Sequence, residues 1–159
     1  MNIHFVNLDK NTHEFCDMKQ WVLAFPNSIA ATMITSMKLL GCPVAFSMHG
    51  TDGDAYIVAD DEAVNDPFIM AHEEGHVRLG HYDGTHAADV NGILNDENAE
   101  AEADAYAVRK TGDPRGAIET LSNMLDRIKP EIEIPGFDLV AAKNCLAVRM
   151  TKLATAALK

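Results

Sequence analysis

Asp66-Pro67 fixes the start of a helix. The aspartate caps the first free N–H groups, and the proline brings the φ of the first helical position while lacking the N–H that would go unpaired there. The predicted helix runs to about Leu79, ahead of Gly80 and Gly84. On it Phe68, Ile69 and Leu79 share one side with His72 and His76, so that side faces the core and carries two imidazoles into it. Buried imidazoles with a carboxylate, Glu73, beside them need partners. Whatever this chain folds into must bring polar groups to that face.

The other elements follow from similar patterns. Ile3, Phe5 and Leu8 mark a short strand. Residues 14–25 read as a helix that stops before Pro26. Ser28 caps a second helix through Leu40, closed by Gly41, and its stripe of Ile29, Met33, Met37 and Leu40 belongs to the core. Residues 43–48 and 55–59 are β-like runs separated by a turn-rich stretch containing Asp52-Gly53, which predicts a hairpin. His49 beside that turn is expected to be a solvated loop residue. A loop through Asn91-Gly92 leads to a helix over 96–110, rich in Ala and Glu. Asp113-Pro114 opens the next, striped by Ile118, Leu121, Leu125 and Ile128. Residues 130–137 form a proline-bracketed loop and 138–158 a terminal helix. The expected class is α+β: one mostly helical domain over 1–159, with a small antiparallel hairpin sheet beside the His72 helix.

A chain of 159 residues can bury one core but hardly two. Its 24 Asp and Glu against 13 Lys and Arg leave no basic patch with which to neutralise phosphates. Direct nucleic-acid binding is therefore disfavoured, an anionic membrane surface is repelled, and the excess charge reads as a solubilising surface. Cys16, Cys42 and Cys145 are odd in number and far apart, which suggests buried, reduced thiols rather than a disulfide framework or a thiolate zinc cage. The first residues lack a charged and apolar leader, and no run approaches membrane-spanning length. The expected location is the cytoplasm, or a host's cytoplasm if the chain is viral. Nothing in the sequence indicates an oligomeric state.

The segment His72-Glu73-Glu74-Gly75-His76 matches HExxH. At 3.6 residues per turn His76 lies about 40° around the helix from His72, and Glu73 about 100°. Both imidazoles can reach one metal ion. Glu73 stands beside it, placed to hold and deprotonate a water that zinc acidifies to a pKa of about 7. A catalytic zinc site needs a third protein ligand and one open position. Glu100 and Asp104 are four apart and can both face the His72 helix, Glu100 as ligand and Asp104 as the group that bonds the far nitrogen of a ligand histidine. Ala101, Ala103 and Ala105 are small enough for close packing there. Glu97 and Glu102 are weaker alternatives. HExxHxxGxxH fails, because Leu79 and Tyr82 stand where it needs Gly and His, and His81 is one residue out of register, about 140° from His76. After Gly84-Thr85, Asp89 falls two positions late for an aspartate-liganded arrangement. His81, Tyr82 and His86 are candidate oxyanion donors.

The run Ala71-His72-Glu73-Glu74-Gly75-His76-Val77-Arg78-Leu79-Gly80-His81, after a hairpin and before Glu100-Ala101-Glu102-Ala103-Asp104-Ala105-Tyr106-Ala107, resembles the ImmA/IrrE-type zinc metallopeptidases. It is also similar to the broader gluzincin pattern of HExxH followed by ExxxD. The resemblance covers residues 55–108. It implies a small intracellular protease of mobile elements or stress responses that cuts a few regulatory proteins. Zn2+ would be held by His72, His76 and Glu100, with Glu73 as base and Asp104 in support. The chain departs from the family at Glu74, where an apolar residue is usual. Glu74 and Arg78 lie away from the ligands and can pair at i, i+4, which predicts a wetter back to this helix. The expected function is a zinc metalloendopeptidase of narrow specificity, with a protein or peptide substrate. The competing expectation is a non-catalytic zinc-binding regulatory protein acting through its acidic surface. The intact Glu73 argues against that, since a structural zinc needs no base.

Overall fold

The structure, a computed structural model, describes residues 1–9, 29–49, 53–81, 96–129, 132, 134 and 137–158. The helix expected over 14–25, the cap at Ser28, Cys16 and the Asn91-Gly92 loop lie outside the described residues. In chain order the elements are β1 (Ile3–Asn7), α1 (Ile29–Leu40), β2 (Ala45–His49), β3 (Ala55–Ala59), α2 (Asp61–Val64), α3 (Pro67–Arg78), α4 (Glu97–Thr111), α5 (Pro114–Arg127) and α6 (Leu139–Ala157). The class is α+β with helices predominating.

The three strands form one sheet in the order β1-β3-β2. β2 and β3 make the expected antiparallel hairpin, with Phe46 opposite Val58. β1 joins the other edge of β3 in parallel, Phe5 opposite Ile57, so the sheet is mixed. β3 is central and buried along its whole length, as its unbroken run of Ala, Tyr, Ile and Val permits. One expectation fails here. The pairing of β2 with β3 continues to His49 opposite Ala55, so His49 ends a strand instead of sitting in the loop. Its Nε2 is buried without a hydrogen-bond partner among the described residues.

Aspartates start five of the helices: ahead of α2, Asp60 Oδ1 accepts from the Ala63 N–H. Asp66 Oδ1 accepts bonds from the N–H groups of Phe68 and Ile69 at 3.0 and 3.2 Å, with Pro67 in the first turn. Asp96, Asp113 and Asp138 cap α4, α5 and α6 in the same way. Each such cap stabilises its helix by about 1 kcal/mol. α3 then buries Phe68, Ile69 and Ala71 in a core shared with Leu40 of α1, Leu121 of α5 and Leu146 of α6. Leu79 does not follow them inward. The helix stops at Arg78, Leu79 is its C-cap, and Gly80 at φ 74° turns the chain away, leaving Leu79 exposed. Cys42 and Cys145 are free and buried, and burial pushes both thiols up to about 11. Among the described residues no helix is long and apolar enough to cross a membrane.

The seam between α3 and α4 positions the polar groups. Ala99, Ala103 and Ala107, one helical turn apart, are buried along it. Ala101 is only half-buried and Ala105 is exposed, so of the alanines expected at this contact Ala103 alone is fully enclosed. On the α3 side Gly75 faces Tyr106, and a Cβ at position 75 would lie 3.1 Å from the Tyr106 Cβ. The helices approach this closely because Gly75 has none. Glu74 pairs with Arg78 at 3.7 Å and also with Lys110 of α4. With that second partner its side chain is only 15% exposed, so the back of α3 is tied to α4 rather than open to water.

Candidate metal centre

α3 and α4 together place His72, His76 and Glu100 in one buried group that can hold a metal ion, with one ligand atom from each lying within 4.8 Å of the others. Four-residue spacing puts both imidazoles on the same helix face, with His72 Nε2 3.0 Å from His76 Nε2. Glu100 reaches across the seam: Oε2 lies 2.9 Å from His72 Nε2 and Oε1 lies 3.3 Å from His76 Nε2. No fourth His, Cys, Asp or Glu joins this group among the described residues. Glu73 is buried beside it, on the wall of the cavity that the three also line.

Each imidazole is held from behind. His72 donates from Nδ1 to Asp104 Oδ1 at 2.8 Å, which leaves Nε2 directed into the group. For His76 the partner is His81, whose Nδ1 lies 2.9 Å from His76 Nδ1. His81 Nε2 lies in turn 2.9 Å from Glu102 Oε2. A chain in which His76 donates to His81, and His81 donates to Glu102, satisfies all three groups and again frees Nε2 of His76. The turn at Leu79 and Gly80 makes this possible by folding His81 back against the helix, where its backbone N–H bonds the His76 carbonyl at 2.9 Å.

A third helix completes the site. Arg149 of α6 is buried and donates from Nε to Asp104 Oδ2 and from Nη2 to Asp104 Oδ1, both at 2.8 Å. Its Nη1 lies 3.2 Å from Glu100 Oε2. Burial acts to raise the Glu100 and Asp104 carboxyls, but Arg149 and the imidazoles outweigh it and hold both below the usual carboxylate range, Glu100 far below. Burial acts to lower His72, but the Glu100 carboxylate and the bonds to Asp104 and Glu100 push it up to about 10. Burial pushes Glu73 up, opposed by the charges of His76 and His72. Burial acts to lower Arg149, and the two carboxylates more than reverse it.

The structure thus brings together His72, Glu73, His76, Glu100 and Asp104. Glu97 and Glu102, the alternative third ligands, point to solvent. His81 stands behind the His76 imidazole, its ring nitrogens facing His76 and Glu102; the oxyanion role expected of it is not tested by this arrangement. Tyr82, His86 and Asp89 lie outside the described residues. Sequence reasoning misses Arg149 and the His81–Glu102 pair. Compared with known proteins, the chain matches no family model, no curated protein and no solved structure. What the fold and the site define is an α+β domain with a buried His-His-Glu group able to bind a metal ion.

Proposed function

We propose that the protein is a zinc-dependent metalloendopeptidase of the ImmA/IrrE type, acting in the cytoplasm on a regulatory protein. The observation that carries this reading is Glu73, a buried carboxyl placed beside three ligand residues where a structural metal would call for a fourth ligand instead. The donor set fits zinc. Two imidazoles and a carboxylate stand 2.9 to 3.3 Å apart, close to the roughly 3.3 Å that tetrahedral bonds of about 2.0–2.1 Å impose.

His72, His76 and Glu100 would hold the zinc, which would supply Lewis acidity to the scissile carbonyl and to the attacking water. Glu73 takes the proton from that water at its carboxylate and passes it to the nitrogen of the leaving amine. Asp104 and His81 keep both imidazoles in the tautomer that presents Nε2. Arg149 holds Glu100 and Asp104 in place. A peptide substrate is favoured by β2, which among the described residues is an edge strand and whose Ala45 and Ser47 line the same cavity. Its outer edge offers backbone groups to which an extended peptide can add as a further strand.

The test has two stages. Protein purified without a tag or chelator is expected to carry one zinc per chain, and zinc well below one equivalent refutes the metal centre. Wild type and Glu73→Gln are then incubated with a broad proteome and the new termini compared. Cleavage that disappears in Glu73→Gln while zinc is retained supports the endopeptidase. No difference, with zinc bound, leaves a zinc-binding regulatory protein instead.

A further inference from the structure

The cavity at the metal centre does not end at the ligands. It has a volume of about 120 Å³, with His72, Glu73, His76 and Glu100 on one side and apolar side chains of four other elements on the other. Met37 comes from α1, Ala45 from β2, Met124 from α5 and Leu146 from α6. Protein interiors are close-packed, and a hole of this size deprives its lining of contacts. An apolar cavity of about 150 Å³ stays dry and takes up a benzene-sized guest. The volume here matches one phenyl or branched butyl group.

We infer that this cavity is the specificity pocket of the enzyme and receives one large apolar side chain, of the Leu, Met or Phe class, flanking the bond to be cut; this rests on the endopeptidase reading above. The pocket is continuous with the groups that do the chemistry, so its occupant must be close to the scissile bond. An extended peptide added to the edge of β2 sends every second side chain toward the same face, and Ala45 and Ser47, on one face of that strand, are part of the wall. Among the described residues the wall has nothing for an anionic occupant. Its one cation, Arg149, already spends Nε, Nη1 and Nη2 on Asp104 and Glu100. The Cys42 and Cys145 thiols in the wall stay neutral, pushed up to about 11 by burial. Met37 and Met124 are unbranched and soft, and can adjust to a branched, linear or aromatic guest.

The pocket is tested by binding, without a known substrate. Zinc-loaded protein is titrated calorimetrically with acetohydroxamate, which needs only the metal, and with its isobutyl-, benzyl- and carboxymethyl-substituted analogues. The isobutyl and benzyl compounds are expected to bind about 10- to 100-fold more tightly than the parent, and the carboxymethyl compound no more tightly. Ala142→Phe, which grows a side chain from the α6 wall into the cavity, is expected to reduce the apolar preference to less than threefold. Equal affinities for all four compounds overturn the pocket and leave the metal centre standing. A full preference retained by folded Ala142→Phe overturns its location. Failure of acetohydroxamate itself to bind overturns the metallopeptidase reading and the pocket with it. If Ala142→Phe does not fold, the wild-type comparison decides alone.

Discussion

Arg149→Met is the most demanding perturbation of this site. The arginine is buried and makes three short contacts, two at 2.8 Å to Asp104 and one at 3.2 Å to Glu100. Methionine keeps much of the side-chain length but removes one of the two cations that face those carboxylates in the metal-free protein, leaving only the His72 imidazolium. Removing one partner of a buried ion pair costs about 3–5 kcal/mol, because the charge left behind has lost its solvation and gained nothing. For a chain of this size each kcal/mol lowers Tm by about 2–4 °C, so a fall of roughly 6–20 °C is expected in the presence of chelator. Saturating zinc supplies a second positive charge to Glu100 and should reduce the deficit by about half. Arg149→Lys keeps the charge but not the two-pronged grip on Asp104, and should fall between Met and wild type. Thermal unfolding of the three proteins, each with chelator and with zinc, gives six transition temperatures. A metal-free Arg149→Met protein within 2 °C of wild type would refute this account of the site, as would a loss equally large with and without zinc.

Other measurements bear on neighbouring groups. His81→Phe removes the partner of His76 Nδ1 and should weaken zinc about 10- to 100-fold, read by competition with a chromogenic chelator; unchanged affinity would mean that His81 does not orient the ligand. Zinc uptake should release about one proton per chain at pH 8, because His72 holds its proton up to about 10 in the metal-free protein and must lose it to bind. The sign of the accompanying stability change follows. A pKa raised from the usual 6.5 gives stabilisation fully present below that value and lost as pH rises through about 10. The metal-free protein therefore weakens across that window while zinc binds more tightly. Calorimetry in two buffers of different ionisation heat counts the proton, and none released at pH 8 would contradict the assignment.

The parts of the site legible in the sequence are those written at short range. Asp66, Asp113 and Asp138 announce their helices because a cap acts on N–H groups two or three residues ahead. His72 with His76, and Glu100 with Asp104, show themselves because four residues are about one turn. Arg149 is not visible in this way, since its bonds to Asp104 span 45 positions. It does leave a trace: Ala142, Cys145, Leu146 and Leu153 are the buried stripe of α6, and Arg149 is the one charged residue on it. A cation on an apolar stripe calls for buried anions, and α4 supplies them. The role of His81 depends on where α3 stops, and Leu79 is misread for the same reason. The hydrophobic period alone does not say that the chain turns at Gly80. The parallel partner of β3 is equally hidden, because pairing between Phe5 and Ile57 is a long-range event that neither strand encodes locally.

Gly75 has a consequence for metal selectivity. Two of the candidate ligands come from α3 and the third from α4, so the distance between the helix axes would set the radius of an ion held there. That distance is limited by Tyr106 against the bare Cα of Gly75, where even one methyl group would sit 3.1 Å from the ring's Cβ. Metal–ligand bonds tolerate errors of only about 0.2 Å. Choice among ions of similar charge is thereby governed partly by backbone spacing at a residue that touches no metal. Retuning the site toward a larger ion would begin at Gly75 and Tyr106, with the ligands left as they are.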